Sequence, residues 1–147
     1  QIRLAAGEDL GLDQRRASEI RAHALEHRIN AEDPDRDFSP SPGTINALRL
    51  PGGPGVRVDT HIYAGYTIPS YYDSLIAKLI LSAPDRPGAI ARALRALSEF
   101  EIEGPRTTIG FHKKVLSHPL FAQGSFDTHF VEKMKAPQEN AHALSKS

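Results

Sequence analysis

The order of its periodic segments limits the folds that this chain can adopt. Segments in which apolar residues alternate with polar ones come first, and segments with helical spacing of apolar residues follow them. Strands followed by helices are typical of the α+β class, whereas a parallel α/β fold needs strands and helices in alternation. We therefore expect an α+β fold with a mostly antiparallel β-sheet and helices packed after it. The length of 147 residues is that of about one domain.

The first alternating segment, residues 21–32, predicts a strand that turns one face toward a core. The more apolar face consists of His23, Leu25, His27, Ile29 and Ala31. The opposite face is unusually polar and consists of Ala22, Ala24, Glu26, Arg28, Asn30 and Glu32.

Two further alternating segments, residues 44–50 and 56–63, flank the short sequence Pro51-Gly52-Gly53-Pro54-Gly55. Two strands joined by so short a loop predict an antiparallel hairpin. A phosphate-binding loop is the other interpretation of the glycines. It lacks the Gly-Lys-Ser/Thr ending and precedes a strand where a helix is needed, so turn chemistry is favoured.

The apolar run within residues 71–82 fits either a helix face or a strand that is buried on both faces. We favour a strand, because a clear helix follows at once over residues 86–100, where Asp85 can cap the first turn. A second helix is predicted at residues 107–116, a short turn or helix at 118–121, and a last short element at 128–133. Residues 136–147 are polar, and we expect them to be disordered.

Composition excludes several functions. Lys plus Arg is 18 and Asp plus Glu is 18, so net charge gives no argument for nucleic acid or a membrane surface as a partner. The absence of cysteine excludes a disulfide framework, a thiolate zinc site and a cysteine nucleophile, and it fits a reducing compartment such as the cytoplasm. No apolar run approaches the roughly 20 residues that span a bilayer.

The densest polar cluster surrounds Arg28 on the first predicted strand. One interpretation is a solvated strand face with cross-strand ion pairs. The other is a fixed guanidinium, aimed by Glu26 and Asn30, that awaits a carboxylate, phosphate or enolate oxygen. Arginine suits this task because its planar fork grips two oxygens at once and keeps its charge.

Two other features are a lysine within the apolar run, which has two possible locations, and a pair of histidines that could suggest a metal site. Lys78 within the apolar run needs a partner if it is buried, or it extends to solvent at the rim. His23 and His27 have a helical spacing for a metal pair, but on a strand they lie about 13 Å apart at about 3.3 Å per residue. That separation is too large for one ion, so we predict no metal site.

Six separated strings resemble, in this order, the C-terminal domain of biotin carboxylase as found in acetyl-CoA and related acyl-CoA carboxylases. They are residues 1–7, 23–34, 39–43, 51–57, 61–69 and 71–79. The resemblance covers nearly all of residues 1–133. It implies that residues 1–16 are a remnant of a preceding ATP-grasp region with its linker, and that residues 17–135 are the domain itself.

The resemblance implies a ligase reaction in which ATP activates bicarbonate and the carboxyl group passes to the ureido nitrogen of biotin. ATP and Mg²⁺ then bind mainly to an ATP-grasp domain before residue 1, so this chain alone is inactive. By the same resemblance, Arg28 is the catalytic residue that binds bicarbonate and the biotin ureido oxygen. Glu26, Asn30, Asp73 and Lys78 support it.

The resemblance also implies partners. Arg57 matches an arginine at the family's homodimer interface, although this chain has Pro54 where the family has an aromatic residue. Biotin would be carried by a separate carrier protein, and a separate carboxyltransferase would complete the acyl-CoA carboxylase of fatty acid synthesis. Two alternatives are a non-catalytic dimerisation or assembly module and part of another ATP-grasp ligase.

Overall fold

The computed structural model describes residues 1–135, so the expected disorder of residues 136–147 lies outside the described residues. The strands are β1 (His23–Asn30), β2 (Glu32–Asp33), β3 (Ser39–Pro40), β4 (Gly43–Thr44), β5 (Ala47–Arg49), β6 (Val56–Thr60), β7 (Thr67–Ile68), β8 (Leu75–Ala83) and β9 (Glu101–Glu103). The helices are α1 (Ile2–Ala5), α2 (Gln14–Ala17), α3 (Arg86–Glu99), α4 (Ile109–Leu116), α5 (Pro119–Gln123) and α6 (Phe130–Lys135), with a short 3₁₀ turn at Pro34–Arg36.

The three long strands form one antiparallel sheet in the order β1-β8-β6. The α+β class is confirmed, as is the choice of a strand for the ambiguous apolar run, which becomes β8. Its inner face is fully buried at Leu79 and Leu81, whereas Lys78 and Ile80 on the outer face are half-buried. Burial on both faces, as expected for this run, is found only near the start of the strand, at Ile76 and Ala77.

Helix α3 covers the inner face of this sheet. It begins where expected, because the side chain of Asp85 accepts a hydrogen bond from the backbone N–H of Gly88. Its buried stripe includes Ala89, Ala93 and Ala96, whose small side chains let the helix approach the strands closely. Leu97 extends this stripe into the shared core.

The predicted hairpin between residues 44–50 and 56–63 is wrong. Strand β5 pairs with β9, and β6 pairs with β8. The turn itself binds β8, because the carbonyl of Gly55 accepts a hydrogen bond from the N–H of Ser82 at 2.9 Å. A bend at Asn46 also reverses the alternation, so that Leu48 points inward while Ala47 and Arg49 are exposed.

The N-terminal residues lie outside the core, since every residue from 1 to 22 is exposed. The short helix α1 is followed by Gly7, which has a positive φ of 83°. The start of α2 is capped by the carboxylate of Asp13. None of the helices within residues 1–135 is long and apolar enough to cross a membrane.

Candidate functional site

Two charged rows cross the outer face of the three-stranded sheet. In the first row Arg28 on β1 lies opposite Lys78 on β8, and Lys78 lies opposite Asp59 on β6. In the second row Glu26, Ile80 and Arg57 take the corresponding positions. The alternation of β1 therefore places its polar set on one face, as predicted from the sequence.

The guanidinium of Arg28 is open to solvent. Arg28 is an exposed residue, and within residues 1–135 no hydrogen bond or ion pair involves its side chain. Glu26 and Asn30 do not aim it by contact, because the amide of Asn30 donates instead to Oε1 of Glu32 at 3.0 Å. The group is a strong bidentate donor without a protein acceptor in the described part of the chain.

Lys78 brings a second positive charge beside Arg28. Like charges directly opposite each other on neighbouring strands destabilise a sheet, so this pairing favours an anion above the two strands. Lys78 is half-buried and lines a cavity of about 240 Å³ together with Asp59, Thr60 and His61. Its position between Arg28 and Asp59 favours the interpretation that its amine reaches the sheet surface.

Arg57 is engaged in a bidentate ion pair on its own strand. Its Nε and Nη2 donate to the two carboxylate oxygens of Asp59 at 2.8 and 2.9 Å. These hydrogen bonds hold the pKa of Asp59 below its usual value, with the charges of Arg57 and Lys78 adding to the effect. Both side chains remain exposed, and the predicted dimer contact of Arg57 stays a prediction.

Asp73 has a local structural partner. Its Oδ1 accepts a hydrogen bond from the backbone N–H of Leu75 at 2.7 Å, which fixes the turn into β8. Asp73 is exposed, and none of the hydrogen bonds of residues 1–135 joins it to Arg28 or Lys78. The structure therefore groups Arg28 with Lys78 and leaves Asp73 at the entrance of the strand.

Sequence reasoning missed the group of residues behind Arg28. The carbonyl of Arg28 accepts hydrogen bonds from Oγ1 of Thr108 at 3.1 Å and from Nε2 of His112 at 2.9 Å. The ring of His27 meets that of His112 edge to face, with centroids 5.0 Å apart. The only sequence signal was that Thr108 and His112 are four residues apart, which places them on one face of a helix.

Burial changes the acid–base properties of this histidine pair. His27 is 6% exposed, and burial together with the nearby His112 lowers its pKa from 6.5 to about 4. Burial also lowers the pKa of His112, although its hydrogen bond to Arg28 opposes the shift. Both rings are therefore neutral at pH 7. In the part of the chain that the structure describes, no group of three or more histidines, aspartates or glutamates could hold a metal ion.

The antiparallel sheet of this α+β domain thus displays an exposed arginine, without an acceptor among residues 1–135, beside a lysine on the neighbouring strand. Residues 26–133 match the family model of the biotin carboxylase C-terminal domain. The chain belongs to this family, as the sequence resemblance implied.

Known relatives agree with this assignment. A biotin carboxylase of Nostoc sp. is 56% identical over 134 residues, which are 91% of this chain and 30% of that protein. A pyruvate carboxylase subunit of Methanothermobacter thermautotrophicus is 51% identical over 92% of this chain and 27% of that protein. The chain thus spans less than a third of the length of these relatives.

A solved structure supports the fold. The biotin carboxylase domain dimer of Hydrogenobacter thermophilus 2-oxoglutarate carboxylase, in complex with MgADP, ADP and bicarbonate, matches with a TM-score of 0.81 and 44% identity. The match covers 90% of this chain and 29% of that one.

Proposed function

We propose that this chain is the C-terminal part of a longer biotin carboxylase, which carboxylates biotin on a carrier protein with ATP and bicarbonate. The observation that carries the proposal is the exposed Arg28 guanidinium, which lies opposite Lys78 and has no acceptor within residues 1–135. The coverage of about 30% of the Nostoc biotin carboxylase supports a larger functional unit.

Arg28 supplies what carboxyl transfer to biotin needs. Its parallel N–H groups can bind two oxygens of bicarbonate and so orient the bicarbonate ion. Removal of the proton from the ureido nitrogen places negative charge on the ureido oxygen of biotin, and a preorganised cation stabilises that charge in the transition state. Lys78 adds a second positive potential at the same place, while Glu26, Asn30 and Asp73 support the surface around it.

In this proposal, ATP and Mg²⁺ bind to another part of the full-length protein. Magnesium prefers carboxylate oxygens and phosphates, and the described residues contain no cluster of three acidic or histidine side chains that could bind it. We assign both to a preceding ATP-grasp domain, where ATP supplies the activation of bicarbonate. The Hydrogenobacter structure, of which this chain matches 29%, was solved with MgADP, ADP and bicarbonate bound.

The assembly follows from the same proposal. The full-length protein forms a homodimer through the surface around Arg57 and works with a biotin carboxyl carrier protein and a carboxyltransferase in the cytoplasm. The chain alone is inactive because it lacks the nucleotide-binding part. Acyl-CoA carboxylation is the proposed overall reaction, as in fatty acid synthesis, whereas two relatives are named for pyruvate and 2-oxoglutarate.

The test uses the full-length protein with free biotin, bicarbonate and MgATP. Arg28→Ala should lower biotin carboxylation at least about a hundred-fold, because one preorganised donor at a developing charge contributes that much. Arg28→Lys should also be strongly impaired, since lysine lacks the fork. ATP binding should be retained in both variants.

The matched control is Arg49→Lys, which alters another exposed arginine on a different sheet. Its carboxylation should equal that of the wild type. Wild-type turnover by Arg28→Ala would overturn the proposal. A protein that consumes ATP and bicarbonate but leaves biotin unmodified would favour another ATP-grasp ligase, and one without any turnover would favour an assembly module.

A further inference from the structure

Strand β1 lies at the edge of its sheet, because β8 is its only strand neighbour among residues 1–135. The outward N–H and C=O groups of an edge strand need partners of their own when they are buried. At Arg28 and Asn30 these partners come from the start of helix α4, through Thr108 and His112.

Thr108 forms the hydrogen bonds that a residue of a neighbouring strand would form. Its Oγ1 donates to the carbonyl of Arg28 at 3.1 Å and accepts from the N–H of Asn30 at 3.0 Å. Its own backbone N–H donates to the carbonyl of Asn30 at 3.1 Å. Thr108 is only 4% exposed, so water cannot readily replace these three hydrogen bonds.

His112 adds a second donor to the same carbonyl. A carbonyl oxygen can only accept, so the 2.9 Å contact requires the proton of His112 to be on Nε2. The edge-to-face contact with His27, which lies on the inner face of β1, fixes the plane of the His112 ring. Both hydrogen bonds to the Arg28 carbonyl therefore come from groups that are themselves held in place.

The need for this support is visible in the sheet register. A register shift interrupts the β1–β8 pairing between Ile29 and Asn30, one residue after Arg28. A bulge at this point frees the strand to twist, so β8 alone does not define the backbone direction at Arg28. The contacts from Thr108 span the interruption, since they bind the residues on both sides of Ile29.

We propose that Thr108 and His112 are positioning residues for Arg28: by holding its main-chain carbonyl they set the direction in which its guanidinium projects from the sheet. This inference rests on the proposed function, because only then is the direction of the guanidinium part of catalysis. A displacement of about 1 Å at a reacting group can cost on the order of a hundred-fold in rate.

The experiment measures kcat and KM of the full-length protein with Thr108→Val, which removes the hydroxyl and keeps the shape. The control is Thr44→Val, which makes the same exchange on β4, where Oγ1 of Thr44 forms a hydrogen bond with Oγ1 of Thr67 at 3.0 Å. Strand β4 pairs with β7 and not with the sheet that carries Arg28 and Lys78, so this variant loses a hydrogen bond outside the proposed site.

We expect Thr108→Val to lower kcat/KM for bicarbonate about ten-fold while the KM for ATP is unchanged, because a loosened Arg28 affects only the carboxyl-transfer site. Thr108→Ser, which retains the hydroxyl, should restore most of the activity. In an Arg28→Lys background Thr108→Val should have no further effect, since the two changes act through one group. Thr44→Val should leave all of these constants near wild type.

The outcomes distinguish a failure of the proposed function from a failure of the positioning role. If the wild type does not carboxylate biotin, or Arg28→Lys retains full activity, the proposed function fails. If Arg28→Lys is impaired but Thr108→Val matches Thr44→Val, only the positioning role is overturned. If Thr108→Val does not fold, the test compares two variants of His112. His112→Phe removes the second donor to the Arg28 carbonyl, and His112→Gln retains a donor group. Equal kcat/KM in that second pair would also overturn the positioning role.

Discussion

The imidazole rings of His27 and His112 meet edge to face behind the strand that carries Arg28, with centroids 5.0 Å apart. Protonation of either ring places a charge in a buried position beside the other, which explains why the pKa of each is lowered. Folding therefore favours the neutral form of both rings, and this preference makes the pair a source of pH-dependent stability.

The first prediction concerns acid stability. His27 takes up its proton near pH 6.5 when unfolded but only near pH 4 when folded, so the unfolded state binds more protons between these values. Stability is therefore full above the unfolded pKa and falls as the pH drops toward 4. Urea unfolding should show a loss of about 2 kcal/mol in the free energy of unfolding from pH 7 to pH 5 due to His27.

The control separates this effect from general acid sensitivity. His27→Leu should flatten the pH dependence over the same range, because the buried proton acceptor is gone. His129→Leu, at an exposed histidine, should keep the dependence of the wild type. Identical slopes for His27→Leu and the wild type would show that His27 does not contribute to the pH dependence.

The second prediction is a conflict between stability and activity at Arg28. Arg28 lies opposite Lys78, and like charges at such positions repel. Arg28→Gln should therefore raise the free energy of unfolding by about 0.5 kcal/mol at low salt, while it abolishes most biotin carboxylation. Urea midpoints at low and high salt measure it, because salt should screen the gain.

Arg106→Gln is the control for Arg28→Gln, because Arg106 is also exposed and is placed away from Lys78, just before α4. Its urea midpoint should not rise. A lower midpoint for Arg28→Gln than for the wild type would mean that Arg28 stabilises the sheet, as an ordinary surface residue does.

The third prediction tests the packing of β5 on β9, which sequence reasoning missed. Gly104 follows β9 with a φ of 122°, and a Cβ atom there would collide with the carbonyl oxygen of Thr44. Gly104→Ala should lower the free energy of unfolding by about 2 kcal/mol or more. Gly52→Ala, where a Cβ meets nothing within 4 Å, should change it little, and equal urea midpoints for the two variants would refute the collision.

Long elements with a clear periodicity were predictable from the sequence, and short elements were not. Eight alternating residues defined β1, and a capped apolar stripe defined α3. Strand β9 has three residues and follows α3 directly, so it carries no readable periodicity. Without β9 as a known partner, β5 was assigned to the nearest strand in sequence, β6, and the hairpin prediction was wrong.

The candidate site shows the same division. The exposure of Arg28 followed from alternation along one strand and needed no distant contact. Its hydrogen bonds to Thr108 and His112 join residues that are 80 and 84 positions apart, and nothing in the local pattern indicates which helix meets the edge of β1. The hydrogen-bond partners of Arg28 could therefore be identified only from the three-dimensional structure, whereas its location on the outer face of the sheet was predictable from the sequence.

The last prediction concerns the surface around Arg57. Asp59 accepts hydrogen bonds from both Nε and Nη2 of Arg57, and the guanidinium remains exposed on the surface of β6. If this surface forms the proposed homodimer, Arg57→Glu in the full-length protein should shift sedimentation toward the monomer, because it reverses the charge and also repels Asp59. Arg49→Glu is the matched control, since Arg49 is likewise exposed and paired with an acidic residue of a neighbouring strand, Glu101. A dimer that survives Arg57→Glu as well as it survives Arg49→Glu would place the interface elsewhere on the protein.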